Sequence, residues 1–331
     1  MSSLVKKIFL CGLIAAAAIG GYMIGRSKPD VLTPLVVRTN DDDLKFISPL
    51  VVFTIGDKSN YPEYKSFEQK VQDYISTAKS EGKATNVSVY FRDLVNESWA
   101  GINEDEKYAP SSMLKVSVMM AYFKNAETHP EILKTLSLYK PEIDPGQTYK
   151  PVDSLSSGYH TNLELIEQMI KESDNSAADI LFSNQKDAML KVFQDLHLPQ
   201  EKDPNDIDFM SARLYSRLFR TLYNGSYLTH DLSNSALKLL SETDFNDGLV
   251  KGVPAGVTVA HKFGERTVKE NPLAGDSEYR ELHDCGIIYH SQTPYFLCVM
   301  TKGHEFIDLE SIIADISAIV YADVDQRTQA K

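Results

Sequence analysis

Three short runs in this chain carry the side chains that amide chemistry needs. Ser112-Met113-Leu114-Lys115 places a hydroxyl and an amine three residues apart. On a helix, positions i and i+3 share a face, so the Lys115 amine can sit beside the Ser112 hydroxyl and take its proton. A helix starting here adds the positive end of its dipole and a backbone N–H for an oxyanion. Pro110 upstream and the apolar Val116, Met119, Met120 and Tyr122 downstream predict that start. The spacing alone is weak evidence, because Ser-x-x-Lys also begins at Ser3, Ser76, Ser80, Ser137, Ser183 and Ser235. Two further runs single out Ser112. Ser173-Asp174-Asn175 follows a helical stretch ending at Lys171 and precedes the helix-forming Ala177–Leu181, and His261-Lys262-Phe263-Gly264 ends a strand-like run. Taken singly, the first is an ordinary turn or N-cap and the second a strand end.

The elements around these runs follow from periodicity. Ser66-x-x-Gln69 reads as a capping box opening a helix with Phe67, Val71, Tyr74, Ile75 and Ala78 on one face. Asn86–Asp93 alternates as a strand, and Glu97–Ile102 offers it a partner. From about Ser111 to Leu240 the signals are mostly helical, with Thr161-x-x-Glu164 capping one helix and Ser211–Tyr223 forming another. Strands return at Val257–Gly264, Cys285–His290 and Tyr295–Thr301, before a helix from Asp308 to about Ala322. The two ends of this region therefore build one antiparallel sheet flanked by helices, an α+β arrangement, and the middle forms an all-helical lobe.

Composition narrows the function. The 331 residues carry 34 Lys+Arg against 46 Asp+Glu, a net charge of -12. That balance excludes nucleic acid as a partner, which needs clustered cations. Three cysteines exclude a disulfide-stapled scaffold. No C-x-x-C, H-E-x-x-H or Gly-rich phosphate loop occurs, and His304-Glu305 has Asp308 where a second metal-binding His belongs. No metal or cofactor is expected. Cys285 and Cys298 fall on neighbouring strands; a hairpin paired at His290–Tyr295 sets them on a diagonal, which predicts two buried thiols.

Lys6 and Lys7 precede an apolar run from Ile8 to Gly25, followed by Arg26 and Lys28. Eighteen helical residues rise about 27 Å, just enough to cross a hydrocarbon core of about 30 Å. We read residues 1–25 as an uncleaved signal anchor, with a cleaved signal as the alternative. Cys11 is a small apolar residue within that run. Residues 26–60 form a Pro- and Asp-containing connector with a short strand at Leu50–Thr54, 61–325 the folded domain, and 326–331 a tail. The domain is then extracytoplasmic, held at the cell membrane by one pass or secreted, and monomeric.

In this order, the three runs resemble the Ser-x-x-Lys, Ser-Asp-Asn and Lys-Thr-Gly elements of the penicillin-recognising serine hydrolases, and class A β-lactamases most. The likeness covers roughly Asn86–Ala322, including Trp99, Tyr108-Ala109-Pro110-Ser111-Ser112, and the hairpin of His283–Tyr289 with Pro294-Tyr295-Phe296. The resemblance implies that Ser112 is the acylated nucleophile and Lys115 its base or proton relay. It implies that Ser173 shuttles the proton to the leaving nitrogen, while Asn175 positions Lys115 and bonds the substrate amide. Lys262 supplies positive potential, the backbone N–H groups of Ser112 and Glu265 form the oxyanion hole, and Gly264 borders the substrate. The implied substrate is a β-lactam or a peptidoglycan-type peptide.

Two departures bear on the reaction. Phe263 stands where the family has Thr or Ser, whose hydroxyl grips a substrate carboxylate; Arg266 or Thr267 are the nearby substitutes. Lys115, Lys262 and Arg266 would then make a positive pocket for an anionic, peptide-like carboxylate. The stretch His197–Asp208 is short for the loop that holds the deacylating glutamate in E-x-x-L-N form. It contains only Glu201, which we read as a solvated charge. Slow release of the acyl-enzyme follows. The alternative is a non-catalytic cell-wall binding or sensing module that keeps the fold. A Ser-His-Asp triad using His261, His283 and Asp284 is disfavoured, since no G-x-S-x-G elbow exists.

Overall fold

The computed structural model describes residues 46–47, 64–141, 149, 152, 154–201, 207–269 and 278–329. In chain order these form α1 (Lys65–Ser80), β1 (Asn86–Asp93), β2 (Trp99–Ile102), β3 (Lys107–Tyr108), a 3₁₀ turn (Ser111–Leu114), α2 (Lys115–Ala126) and β4 (Leu136–Tyr139). Then follow β5 (Gly158–Thr161), α3 (Asn162–Lys171), α4 (Asn175–Asp195), β6 (Met210–Ser211), α5 (Ala212–Tyr223) and α6 (His230–Leu240). The chain continues with β7 (Val259–Lys269), β8 (Glu278–Ile288), β9 (Tyr295–Gly303) and α7 (Phe306–Gln329). The apolar run Ile8–Gly25, most of the connector and the expected strand at Leu50–Thr54 lie outside the described residues. Among the described residues no helix is long and apolar enough to cross a membrane.

The central sheet has the order β2-β1-β9-β8-β7, antiparallel throughout, so strands from both ends of the domain interleave as expected. Its two faces can be read along β9. Phe296, Cys298 and Met300 join the core shared with the helical lobe, while Tyr295, Leu297 and Val299 join the core under α1 and α7. β9 thus buries both of its faces.

Four expectations are corrected. Helix α1 begins at Lys65, with Tyr64 as a cap residue that makes no side-chain cap bond, so Ser66 lies inside the first turn. Tyr64 is anchored instead by Phe67 and Phe91, at 5.7 and 5.1 Å between ring centroids, and by the Arg327 guanidinium 4.5 Å from its ring. That same Arg327, paired with Asp323 at 2.6 Å, carries α7 to Gln329, past its expected end and into the stretch read as tail. Strands β7 and β8 run out to a Lys269–Glu278 pair, well beyond the apolar stretches that announced them. The hairpin is paired at Ile288–Tyr295, two residues off the expected register. Past Ile288 the Tyr289 N–H stays on the β7 side at the Thr258 carbonyl, and the His290 ring is taken up by the turn, accepting from the N–H groups of Gln292 and Thr293. Cys285 and Cys298 are therefore directly opposed, Cα atoms 3.9 Å apart, and joined as a disulfide rather than two thiols.

Thr161 does form the predicted capping box with Glu164: its hydroxyl accepts from the Glu164 N–H, and the carboxylate accepts from the Thr161 N–H. The hydroxyl of Ser211 caps α5 in the same way. Both caps fix helices of the lobe that carries the site.

Candidate active site

Ser112 sits in the 3₁₀ turn Ser111–Leu114, and the α-helix that the sequence suggested would start at Ser112 begins at Lys115. In a 3₁₀ turn, side chains at i and i+3 eclipse, so Lys115 is carried directly over Ser112. Ser111, just before it, has a φ of 48°, a left-handed conformation that costs a non-glycine residue about 1–3 kcal/mol. The turn is held from two sides. Tyr215 donates its hydroxyl to the Met113 carbonyl at 2.9 Å. On the other side β7 presses close at Gly264, where a Cβ would come within 2.9 Å of the Pro110 carbonyl oxygen and of Met113. Only glycine lets the strand lie there.

The second run forms a tight link between α3 and α4. Ser173 also adopts a left-handed backbone, with φ of 59°, and Asp174 caps α4 by accepting from the Ala177 N–H at 3.0 Å. The other Asp174 oxygen accepts from the Tyr139 hydroxyl at 2.6 Å and from the Gln168 amide at 3.4 Å. Burial first, and then the bond to Asp174, push the Tyr139 phenol up to about 12. Tyr139, Gln168 and Tyr215 were not legible as site residues, since nothing in the apolar runs that contain them distinguishes these polar tips.

These supports bring the three runs to one point. The buried Lys115 amine lies 3.0 Å from Ser112 Oγ, 3.1 Å from Ser173 Oγ, 2.6 Å from the Ser173 carbonyl and 2.6 Å from Asn175 Oδ1. Lys262 Nζ, fully buried on β7, donates to the same Ser173 Oγ at 2.9 Å and to the Phe263 carbonyl at 3.2 Å. An ammonium has three N–H groups, and Lys115 faces four oxygens; in the neutral amine one of these contacts reverses and the hydroxyl donates. The arrangement can therefore take a proton from Ser112 and pass one through Ser173. Serine attack on an amide carbonyl needs both transfers.

Phe263 is buried and is not among the described residues lining the cavity at Ser112. Its ring stacks on Phe245 at 4.4 Å between centroids, and the Lys262 ammonium lies 4.1 Å from its centre. A π face thus stands near the lysine where the family has a hydroxyl. Arg266 and Thr267, expected as substitutes, are half-buried further along β7 opposite Glu281 and Arg280, and neither is among the described residues lining the cavity at Ser112. Each residue of a strand advances about 3.3 Å, which carries them past the site.

A cavity of about 680 Å³ opens onto Ser112, Lys115, Asn175 and Glu265. Its other charged walls are Asp179, Lys186 and Glu201. The expected positive pocket is corrected by this lining: Arg266 does not line it, and carboxylates of Asp179, Glu201 and Glu265 share the walls with Lys186. Glu201 is exposed and borders this cavity. The disfavoured triad is not assembled either. His261 and Asp284 do pair, at 2.8 Å, but the His261 ring lies beside Phe245 and Asp284 accepts from the Leu249 N–H, while His283 bonds Glu281. Among the described residues no cluster of His, Cys, Asp and Glu has the arrangement of a metal site.

Residues 66–324 match the model of the family described as the β-lactamase enzyme family. No curated protein sequence matches the chain. Among solved structures, a PBP-A variant held as an acyl-enzyme complex with penicillin G is 21% identical, with a TM-score of 0.63, over 81% of this chain and 100% of that one. A class A β-lactamase representative from Bacteroides cellulosilyticus is 22% identical, TM-score 0.65, over 81% and 100% of the two chains. A β-lactamase from Xanthomonas campestris shares 13% identity, TM-score 0.65, over 78% and 98%. The likeness to these structures extends to the fold, and the family match spans the helices, the sheet and all three polar runs: the chain belongs to the β-lactamase enzyme family of serine hydrolases.

Proposed function

We propose that this protein is an extracytoplasmic acyl-transfer enzyme that forms an acyl-enzyme on Ser112 with a β-lactam or a peptidoglycan-type peptide. One observation carries the reading: the Lys115 amine touches Ser112, Ser173 and Asn175 at once, and Lys262 touches the same Ser173. In the first step the Ser112 oxygen bonds to the amide carbonyl carbon while Lys115 takes its proton. The oxyanion is met by the backbone N–H groups of Ser112 and Glu265, each such donor being worth about 2.7–4 kcal/mol in other hydrolases. The C–N bond then breaks, Ser173 gives its proton to the leaving nitrogen, and Lys115 replaces that proton. Asn175 accepts from Lys115 through Oδ1, and in this reading its amide also bonds the substrate carbonyl. Lys262 holds positive potential at Ser173 throughout.

Release of the acyl group is slow in this reading. The stretch His197–Asp208 has no E-x-x-L-N sequence, and Glu201 borders the cavity as an exposed side chain. Anchoring by residues 1–25 at the cell membrane, with the domain outside and monomeric, completes the proposal. The test is labelling of the full chain with a fluorescent penicillin. Wild type is expected to carry one covalent label on Ser112, and Ser112→Ala none. Reversible binding with no covalent label, under conditions that label a known relative, would overturn the reading in favour of an inert binding module.

A further inference from the structure

Two amines touch Ser173, and neither is placed to hold a negative charge on a substrate. Lys115 must be neutral when it takes the Ser112 proton. Lys262 is fully buried and is not among the described residues lining the cavity. Its ammonium donates to Ser173 Oγ at 2.9 Å and to the Phe263 carbonyl at 3.2 Å, and lies 4.1 Å from the centre of the Phe263 ring. An ammonium has three N–H groups, and two hydrogen bonds with a π face engage them inside the protein. The strand pairs beside Lys262 add no second cation. Phe263 pairs with Asp284, which is buried on His261, and Gly264 pairs with His283, which is buried on Glu281. The β7 residue that does line the cavity is Glu265, a carboxylate. Lys186, the other lysine of the described lining, stands roughly three turns along α4 from Asn175, past the non-helical Gln185 and away from Ser173.

We propose that Phe263 is a specificity-determining residue that makes the site blind to a carboxylate beside the leaving nitrogen. The preferred acyl donor is then neutral at that position, as an amide-capped β-lactam or peptide is. The inference rests on the acyl-transfer reading above and names its substrate class. Its physical basis is solvation. A carboxylate entering the cavity gives up water, and it recovers that loss only through N–H donors or a cation in contact with it. Phe263 withholds both. Its side chain, stacked on Phe245, has no hydrogen bond to give, and its ring holds the Lys262 ammonium on the protein side. Glu265 on the same strand repels a second anion. A carboxamide of the same size has no charge to desolvate, so it enters at lower cost.

The experiment uses the full chain with benzylpenicillin and with its neutral analogue, in which a carboxamide replaces the carboxylate. In both, Ser112 Oγ bonds to the β-lactam carbonyl carbon, the ring C–N bond breaks and the ring nitrogen takes the proton, so the mass gain is that of the whole molecule. Second-order acylation constants are read by intact mass, each divided by the compound's own rate of alkaline hydrolysis. The carboxamide is expected to acylate wild type at least as fast as the acid, whereas a site that grips the carboxylate would favour the acid about tenfold or more. In Phe263→Thr the acid-to-carboxamide ratio is expected to rise about tenfold. Both compounds meet the same preparation, so partial unfolding leaves that ratio unchanged. Glu265→Gln is expected to raise it by a smaller factor. An acid favoured by wild type, with Ser112 labelled, overturns the carboxylate-blind site and leaves acyl transfer standing. A ratio that Phe263→Thr does not move takes the determinant away from Phe263 and also overturns the proposal. Absence of label from both compounds removes the acyl-transfer reading and the proposal with it.

Discussion

Ser173 Oγ is shared by two amines, Lys115 at 3.1 Å and Lys262 at 2.9 Å, and this sharing is the densest chemistry in the molecule. Ser173→Ala removes the relay but leaves the Lys115 contact to Ser112, so acylation is expected to fall about 10²–10⁴-fold. Labelling kinetics beside a melting curve separate that loss from unfolding. Phe263→Thr asks the opposite question, because it returns the family hydroxyl but empties the stack on Phe245. It is expected to cost about 3 kcal/mol of stability, seen as a lower denaturation midpoint. The lysines, serines and Asn175 were legible as a group from their order along the chain. Phe263 was legible only as a departure, and its place beside Lys262 came from tertiary packing.

Strand register decides more than any single residue here. Lys262 pairs with Cys285, and Cys285 with Cys298, so the disulfide lies in the same cross-strand row as the buried lysine. The bond closes a short loop across a sequence separation of 13, for which about 2–4 kcal/mol is typical. Reduction, or Cys285→Ser with Cys298→Ser, is expected to lower stability by that amount in chemical denaturation with and without reductant. On the same strands, Glu281 is buried with His283 at 3.3 Å and Lys302 at 3.0 Å. Burial pushes its carboxyl up, but His283 and Lys302 pull it further down, and the net direction is below the ordinary value. A lowered folded value means the ionised carboxylate stabilises the fold. That contribution is complete above the ordinary Glu range and is lost as pH falls through the lowered one. Glu281→Gln is therefore expected to melt earlier than wild type near neutral pH, and the gap is expected to narrow on acidification, as melting temperatures across a pH series would show. The register was not legible because the His290 ring is taken up by the turn itself, accepting from Gln292 and Thr293, a contact that strand alternation does not record.

At the scale of the whole chain, a helical lobe and a sheet domain meet where the three polar runs converge, and each side of the sheet has its own core. The proposed slow deacylation predicts that the acyl-enzyme is the resting state in the presence of substrate. Label decay followed by intact mass is expected to be far slower than label formation, and decay as fast as formation would show that a base such as Glu201 acts after all.

The sequence by itself determined the candidate site residues and the layers. Ser112, Lys115, Ser173, Asn175 and Lys262 stand in an order and setting that few alternatives explain, and periods of two and 3.6 residues placed strands and helices around them. Tertiary structure alone decided how those elements meet. It opposed Cys285 to Cys298, turned Phe263 into the stack with Phe245, carried Arg266 and Thr267 past the cavity, and lined that cavity with carboxylates. The physical reason is that periodicity records which face of an element is buried, while register, close approach and the direction of a side chain are set by partners distant in the chain.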